Sequence, residues 1–247
     1  MSKIKTRALN VFLILIIGGF GGILADQFLL PYLSTIPFFS KIEFIRHTGN
    51  GTTIINPTEK IIITENTAIE QAISKISPCL IFIQSEQNKR ITSQGTGFII
   101  TSDGLIITAA NLVPVKSDKY LIFRNNHSIE AQVVKRDLEN NLALLKIKET
   151  NLPVVSLIDL EDLRLGQRII LIGSELIEDE LNKFVNLGII RSIDTTVLKV
   201  NLVEEDELAN GGPLINDKGE VIGLNLINSK GLIKIIPVNK IKEFIEL

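Results

Sequence analysis

The chain has 247 residues, with 26 basic and 28 acidic side chains and a formal net charge of −2. A near-neutral balance without tryptophan offers neither the basic stripe nor the stacking aromatics of a nucleic-acid binder, which excludes that class. A single cysteine excludes an intrachain disulfide framework, so the fold must rest on a hydrophobic core.

Lys3, Lys5 and Arg7 precede residues 8–25, a run of 18 without any charge, extendable through Asp26 and Gln27 to Leu30. A helix of that length spans a bilayer, and the basic flank predicts a cytoplasmic amino end with the remainder outside. The organisation expected is a basic segment over 1–7, a transmembrane anchor over 8–30, a tether over 31–64 and a folded domain over 65–247. The competing reading is a cleaved signal peptide, whose small-x-small site would fall on Ile23 and Ala25, a poor match. Phe38, Phe39 and Phe44 make the tether apolar enough to pack on the domain, on lipid or on a neighbouring subunit.

A capping box at Thr67-Ala68-Ile69-Glu70 predicts a helix that carries Ile69, Ala72, Ile73 and Ile76 at helical spacing and stops before Pro78. Its apolar face is expected against the first of two barrels. Short apolar β-rich runs follow: 80–83, 97–101, 104–109, 120–123, 130–135, 142–147, 168–172, 186–192, 196–201, 213–215, 221–227 and 232–237. Ser102-Asp103-Gly104 and Asn216-Asp217-Lys218-Gly219 are turn signals between them. The spacing predicts an all-β domain of two barrels joined by a connection over 149–162, with a closing helix from Val238.

Three stretches carry a resemblance. Ala209-Asn210-Gly211-Gly212-Pro213-Leu214, followed by Glu220-Val221-Ile222-Gly223-Leu224-Asn225, resembles the nucleophile loop of the HtrA/Deg family of trypsin-like serine proteases. Residues 95–113, Gly-Thr-Gly-Phe-Ile onward to Ala109-Ala110-Asn111-Leu112, resemble the hairpin that delivers the family's catalytic histidine. Residues 133–147, with Asn141-Leu142-Ala143-Leu144-Leu145-Lys146, resemble the strand pair carrying its aspartate. The resemblance covers 65–247 and implies a trypsin-like double β-barrel, membrane-anchored and without a PDZ domain. It also implies that the histidine, aspartate and serine positions are occupied by Asn111, Asn141 and Asn210.

A neutral amide neither attacks a carbonyl nor exchanges the proton that the reaction requires. Loss of a whole triad costs on the order of a million-fold in turnover. The oxyanion loop implied by the resemblance comprises Leu208, Ala209, Gly211 and Gly212, with Leu208 standing where the family has a glycine that donates its N–H. The chain thus reads as a pseudoprotease that binds a peptide or an envelope protein. An endopeptidase using another nucleophile, Ser93 or Ser174, is the alternative, and a purely structural domain with a filled cleft is a third reading. His47 and His127 read as surface residues and Cys79 as a small core residue. No Cys/His cluster has ligand spacing, so neither metal nor cofactor is expected. The resemblance further suggests a homotrimer.

Overall fold

The computed structural model describes residues 2–34, 36, 65–125, 127–178, 180–204, 206–228 and 232–246. Most of the expected tether, with Phe38, Phe39, Phe44 and His47, lies outside the described residues. The chain divides into two units, Met1–Ile62 and Ile63–Leu247.

The first unit is α1 (Ser2–Leu24), a π-helical turn Ala25–Leu29 and α2 (Leu30–Ser34). Residues Phe12–Leu29 have a mean hydropathy of 1.9, and none is buried inside the protein. Phe12, Ile14, Leu15 and Phe20 are all more than half exposed, which makes the helix apolar on every side rather than on one face. Such a helix is long and apolar enough to cross a membrane, and a signal sequence has the same character.

The second unit begins with α3 (Glu65–Ile76) and is otherwise nearly all β. The helix starts two residues before the expected cap, so Thr67 lies inside its first turn instead of closing it. Its apolar face does not lie on the first barrel alone. Ala72 and Ile76 share one buried cluster with residues of both sheets, and Lys75 Nζ donates to the Lys218 carbonyl at 3.0 Å.

The first sheet holds β1 (Leu80–Gln87), β2 (Arg90–Ile99), β3 (Leu105–Ala109), β4 (Lys119–Arg124), β5 (His127–Glu130), β6 (Gln132–Asp137) and β7 (Leu142–Lys146), in the order β5-β4-β1-β2-β3-β7-β6. The sequence predicts one strand over 130–135. Instead the chain bends at Ala131, whose N–H donates to Tyr120, so β5 pairs with β4 while β6 pairs with β7. One bent stretch thereby supplies both edges, and the sheet curls back on itself.

The second sheet holds β8 (Ser156–Leu157), β9 (Arg168–Ile177), β10 (Glu180–Ile193), β11 (Leu198–Val200), β12 (Pro213–Ile215), β13 (Glu220–Ile227) and β14 (Ile233–Pro237). Its order is β12-β9-β10-β11-β14-β13-β8, and β12 also pairs with β13, which closes six strands into a barrel with β8 outside it. Strand β8 runs parallel to β13, so the crossing between sheets falls between Lys146 and Ser156, at the start of the expected connection. The β9–β10 hairpin is much longer than its apolar runs because the arms past Ser174 and before Asn186 mix polar with apolar residues. The closing helix α4 spans Val238–Glu246.

Each barrel has its own core, around Ile81, Ile106, Ile122 and Leu145 in the first and Ile169, Leu171, Leu198 and Ile222 in the second. A third cluster joins them. Phe98, Ile107 and Leu142 of the first sheet meet Ile170, Ile172 and Ile215 of the second, under Ile76 of α3 and Ile241 and Phe244 of α4. Fully burying one such side chain is worth ~1.5–3 kcal/mol, so this seam fixes the two barrels against each other and sets the geometry of whatever lies along it.

Candidate functional site

The site lies along that seam. After β3 the chain turns through a 3-10 segment, Ala110–Leu112, which buries Ala110 and Leu112 and leaves Asn111 exposed between them. Beside it, at the same end of the neighbouring strand, the turn from β6 to β7 puts Asn141 in the left-handed region at φ +54°, a conformation that asparagine tolerates better than most residues. Asp137 holds this turn by accepting from the Asn140 amide side chain at 2.6 Å and the Asn140 backbone N–H at 3.0 Å. Those two bonds, side chain first, pull the Asp137 carboxyl below its ordinary range. Ala110 N–H donates to the Asn141 carbonyl at 3.0 Å, and Asn111 N–H donates to Asn141 Oδ1 at 2.9 Å.

The second barrel contributes the loop before β12. A 3-10 turn, Glu207–Ala209, is capped by Asp206 and leads to Asn210, which is only 5% exposed. Gly211 follows at φ +80°; a Cβ there would meet the Thr96 carbonyl oxygen at 2.5 Å, so both conformation and space demand glycine. A Cβ on Gly212 would meet the Ile172 carbonyl oxygen at 2.5 Å. The loop is tied across the seam: Thr96 N–H donates to the Asn210 carbonyl at 2.9 Å, and Thr96 Oγ1 donates to the Leu208 carbonyl at 2.7 Å.

These elements bring the three asparagines into one hydrogen-bonded line. Asn210 Nδ2 donates to Asn111 Oδ1 at 3.1 Å, and Asn210 Oδ1 accepts from the Ile227 N–H at 3.2 Å. The Ile227 donor requires an oxygen, which fixes the orientation of the amide. A line of neutral amides can bridge, donate and accept. It cannot store or return a proton near neutral pH.

The N–H groups of the loop are also spent. Leu208 N–H donates to Asp206 Oδ1 at 2.9 Å and Asn210 N–H to the Glu207 carbonyl at 3.0 Å. An oxyanion forming beside the loop would find those two donors engaged, with a carboxylate on one of them. The sequence pointed to Leu208 and missed Asp206, whose signal was an Asp one residue ahead of a short turn, the position of a cap.

The other nucleophile candidates are placed as well. Ser174 is fully buried, donates to the Ile81 carbonyl at 3.0 Å and contacts Thr96 Oγ1, which accepts from Ser174 N–H. Ser93 Oγ donates to the Leu112 carbonyl at 2.8 Å. Neither serine hydrogen-bonds an imidazole among the described residues. His127 stands on β5 opposite Arg124, and Cys79 is 3% exposed with its thiol pushed up by burial. Among the described residues no three His, Cys, Asp or Glu side chains gather as a metal site.

With this geometry in hand, comparison with known proteins gives a consistent answer. The family model of the trypsin-like peptidase domain matches residues 95–224, more than half of the chain and inclusive of all three asparagines. The chain is 31% identical over 196 residues to serine protease HTRA1 of Xenopus tropicalis, an alignment covering 72% of this chain and 42% of that protein. It is 29% identical over 223 residues to serine protease HTRA1A of Danio rerio, covering 83% of this chain and 46% of that protein. It is 37% identical over 140 residues to a probable periplasmic serine endoprotease, DegP-like, of Halomonas elongata, covering 54% and 29%. The chain thus spans less than half the length of these curated relatives.

Proposed function

The chain belongs to the trypsin-like peptidase family and resembles its HtrA/Deg members, and from that premise we propose that it is a membrane-anchored pseudoprotease that binds peptide or an envelope protein without cutting it. The observation that carries this reading is the line from Asn141 through Asn111 to Asn210 and Ile227, in which every link is a neutral amide or a backbone group. The engaged N–H groups of Leu208 and Asn210 add to it. Exposed Val203 and Leu232, on the segments that enter the loop and leave β13, offer apolar contact to an extended ligand. The apolar helix over 12–29 and the basic residues ahead of it support an anchor with the folded unit on the extracytoplasmic side. The likeness to periplasmic relatives agrees with that side. Trimeric assembly belongs to the same reading.

The test is anisotropy of fluorescent unfolded casein fragments titrated with full-length chain in mild detergent. Saturable binding with every fragment recovered intact supports the proposal; fragments shortened during incubation refute it. Burial of Asn210, with both ends of its amide occupied, favours a second reading in which the cleft is filled and the domain is purely structural. Absence of any binding in the same titration selects that reading. The endopeptidase alternative needs a base beside Ser93 or Ser174, and both hydroxyls donate to carbonyl oxygens instead.

A further inference from the structure

Away from the seam, the second barrel carries a cavity of about 520 Å³ among β10, β11 and β14. Arg191, Ser192, Lys199 and Lys234 line it, with Val200 and Ile233 as apolar walls. The register explains why cations gather here. Leu198 pairs with Ile235, so one step along each antiparallel strand puts Lys199 opposite Lys234. Ser192 pairs with Lys199, and the irregularity between Ile190 and Ser192 inserts Arg191 beside them. Leu198 and Ile235 point into the core, whereas Arg191, Lys199 and Lys234 are exposed.

Like charges directly opposite on neighbouring strands repel, and three on adjacent strands do so more. Among the described residues no carboxylate lines the cavity, although acidic residues outnumber basic ones in the chain. Asp194, whose Oδ1 accepts from the Thr196 hydroxyl and N–H, keeps its negative charge and feels Lys199, but it does not line the cavity, so three cations face one outlying carboxylate. A guanidinium, two ammonium groups and a hydroxyl around one space match the several acceptor oxygens and multiple charge of a phosphate group. We propose that this face of the second barrel is a phosphate-binding site. Its ligand is either a lipid phosphate headgroup or a free phosphate. The site does not depend on the pseudoprotease reading and stands if that reading fails.

The experiment is calorimetric titration of the full-length chain in neutral maltoside detergent at constant ionic strength. The probes are inorganic phosphate, dihexanoyl phosphatidylglycerol and a short Asp/Glu peptide. Saturable binding of phosphate or the lipid is expected, weakened about tenfold for each cation removed in Arg191→Gln, Lys199→Gln and Lys234→Gln, as loss of one charge-assisted contact implies. Lys116→Gln, on the first barrel, should leave binding unchanged. Tighter binding of the lipid than of phosphate identifies the headgroup as source, and equal or weaker binding identifies free phosphate. Absence of saturable binding by both, affinity indifferent to the three substitutions, or binding of the acidic peptide alone overturns the proposal.

Discussion

Thr96 offers a sharp test of how the seam holds the site loop. Its buried hydroxyl on β2 donates to the Leu208 carbonyl at 2.7 Å and accepts from Ser174 N–H at 2.8 Å, so one side chain of the first barrel satisfies two backbone groups of the second. Thr96→Val keeps the shape and removes the hydroxyl. It leaves a carbonyl and an N–H without their partner, at ~1–3 kcal/mol each, against a gain of up to ~0.8 kcal/mol from the added methyl. The expected net loss is ~1–5 kcal/mol. With a urea dependence of ~2 kcal/mol per molar, the unfolding midpoint should fall by roughly 0.5–2.5 M. Urea titration of the detergent-solubilised chain, followed by circular dichroism in the β-sheet region, measures it. Thr96→Ser, which retains the hydroxyl, should recover most of the loss. A Thr96→Val midpoint within about 0.2 M of the natural chain would refute the reasoning, since the loop would then not depend on this tie.

Gly211→Ala should destabilise by roughly 3 kcal/mol or more, because a positive φ and a Cβ at 2.5 Å from the Thr96 oxygen are imposed together; a loss below about 1 kcal/mol in the same titration would contradict the loop geometry. Asp137 has a depressed carboxyl, so its contribution is present above the unfolded value near pH 3.9 and disappears as the pH falls through the lower folded value. Being only partly buried, it is worth under about 1 kcal/mol. The destabilisation by Asp137→Ala at pH 7 should therefore shrink by pH 3, and a difference equal at both pH values would count against the stated cause. If the first helix is an anchor, the full chain stays with membranes after an alkaline carbonate wash; release into the supernatant as a shortened chain would identify a cleaved signal instead.

The three asparagines stand out in the sequence because their flanks are restrictive. Gly211 and Gly212 have no room for a side chain, and Leu142 to Leu145 are nearly all buried, so few residue types satisfy these stretches and the pattern stays readable. The barrels were legible for the same reason, as alternating apolar runs with turn signals at Gly104 and Gly219. What escaped were features set by partners distant in sequence. The bend at Ala131 follows from a bond to Tyr120, and α3 reaches both sheets through Ala72 and Ile76 and the turn before β13 through Lys75, which no local pattern records. The arms of β9 and β10 past Ser174 are solvated on one face, so their apolar period fades although the pairing continues to Ile177 and Glu180. Closure of the loop by Asp206 on Leu208 N–H is a single side-chain choice, visible only once the turn is formed.

The central claim is that the natural chain lacks a working nucleophile. The most direct measurement is labelling of the full-length chain by a fluorophosphonate probe, in parallel with casein hydrolysis and beside a variant carrying Asn111→His, Asn141→Asp and Asn210→Ser. The account predicts no label and no cleavage above the no-protein rate for the natural chain, with label on the variant confined to position 210. Label on the natural chain, at Ser93, Ser174 or any other serine, together with cleaved casein, would contradict it.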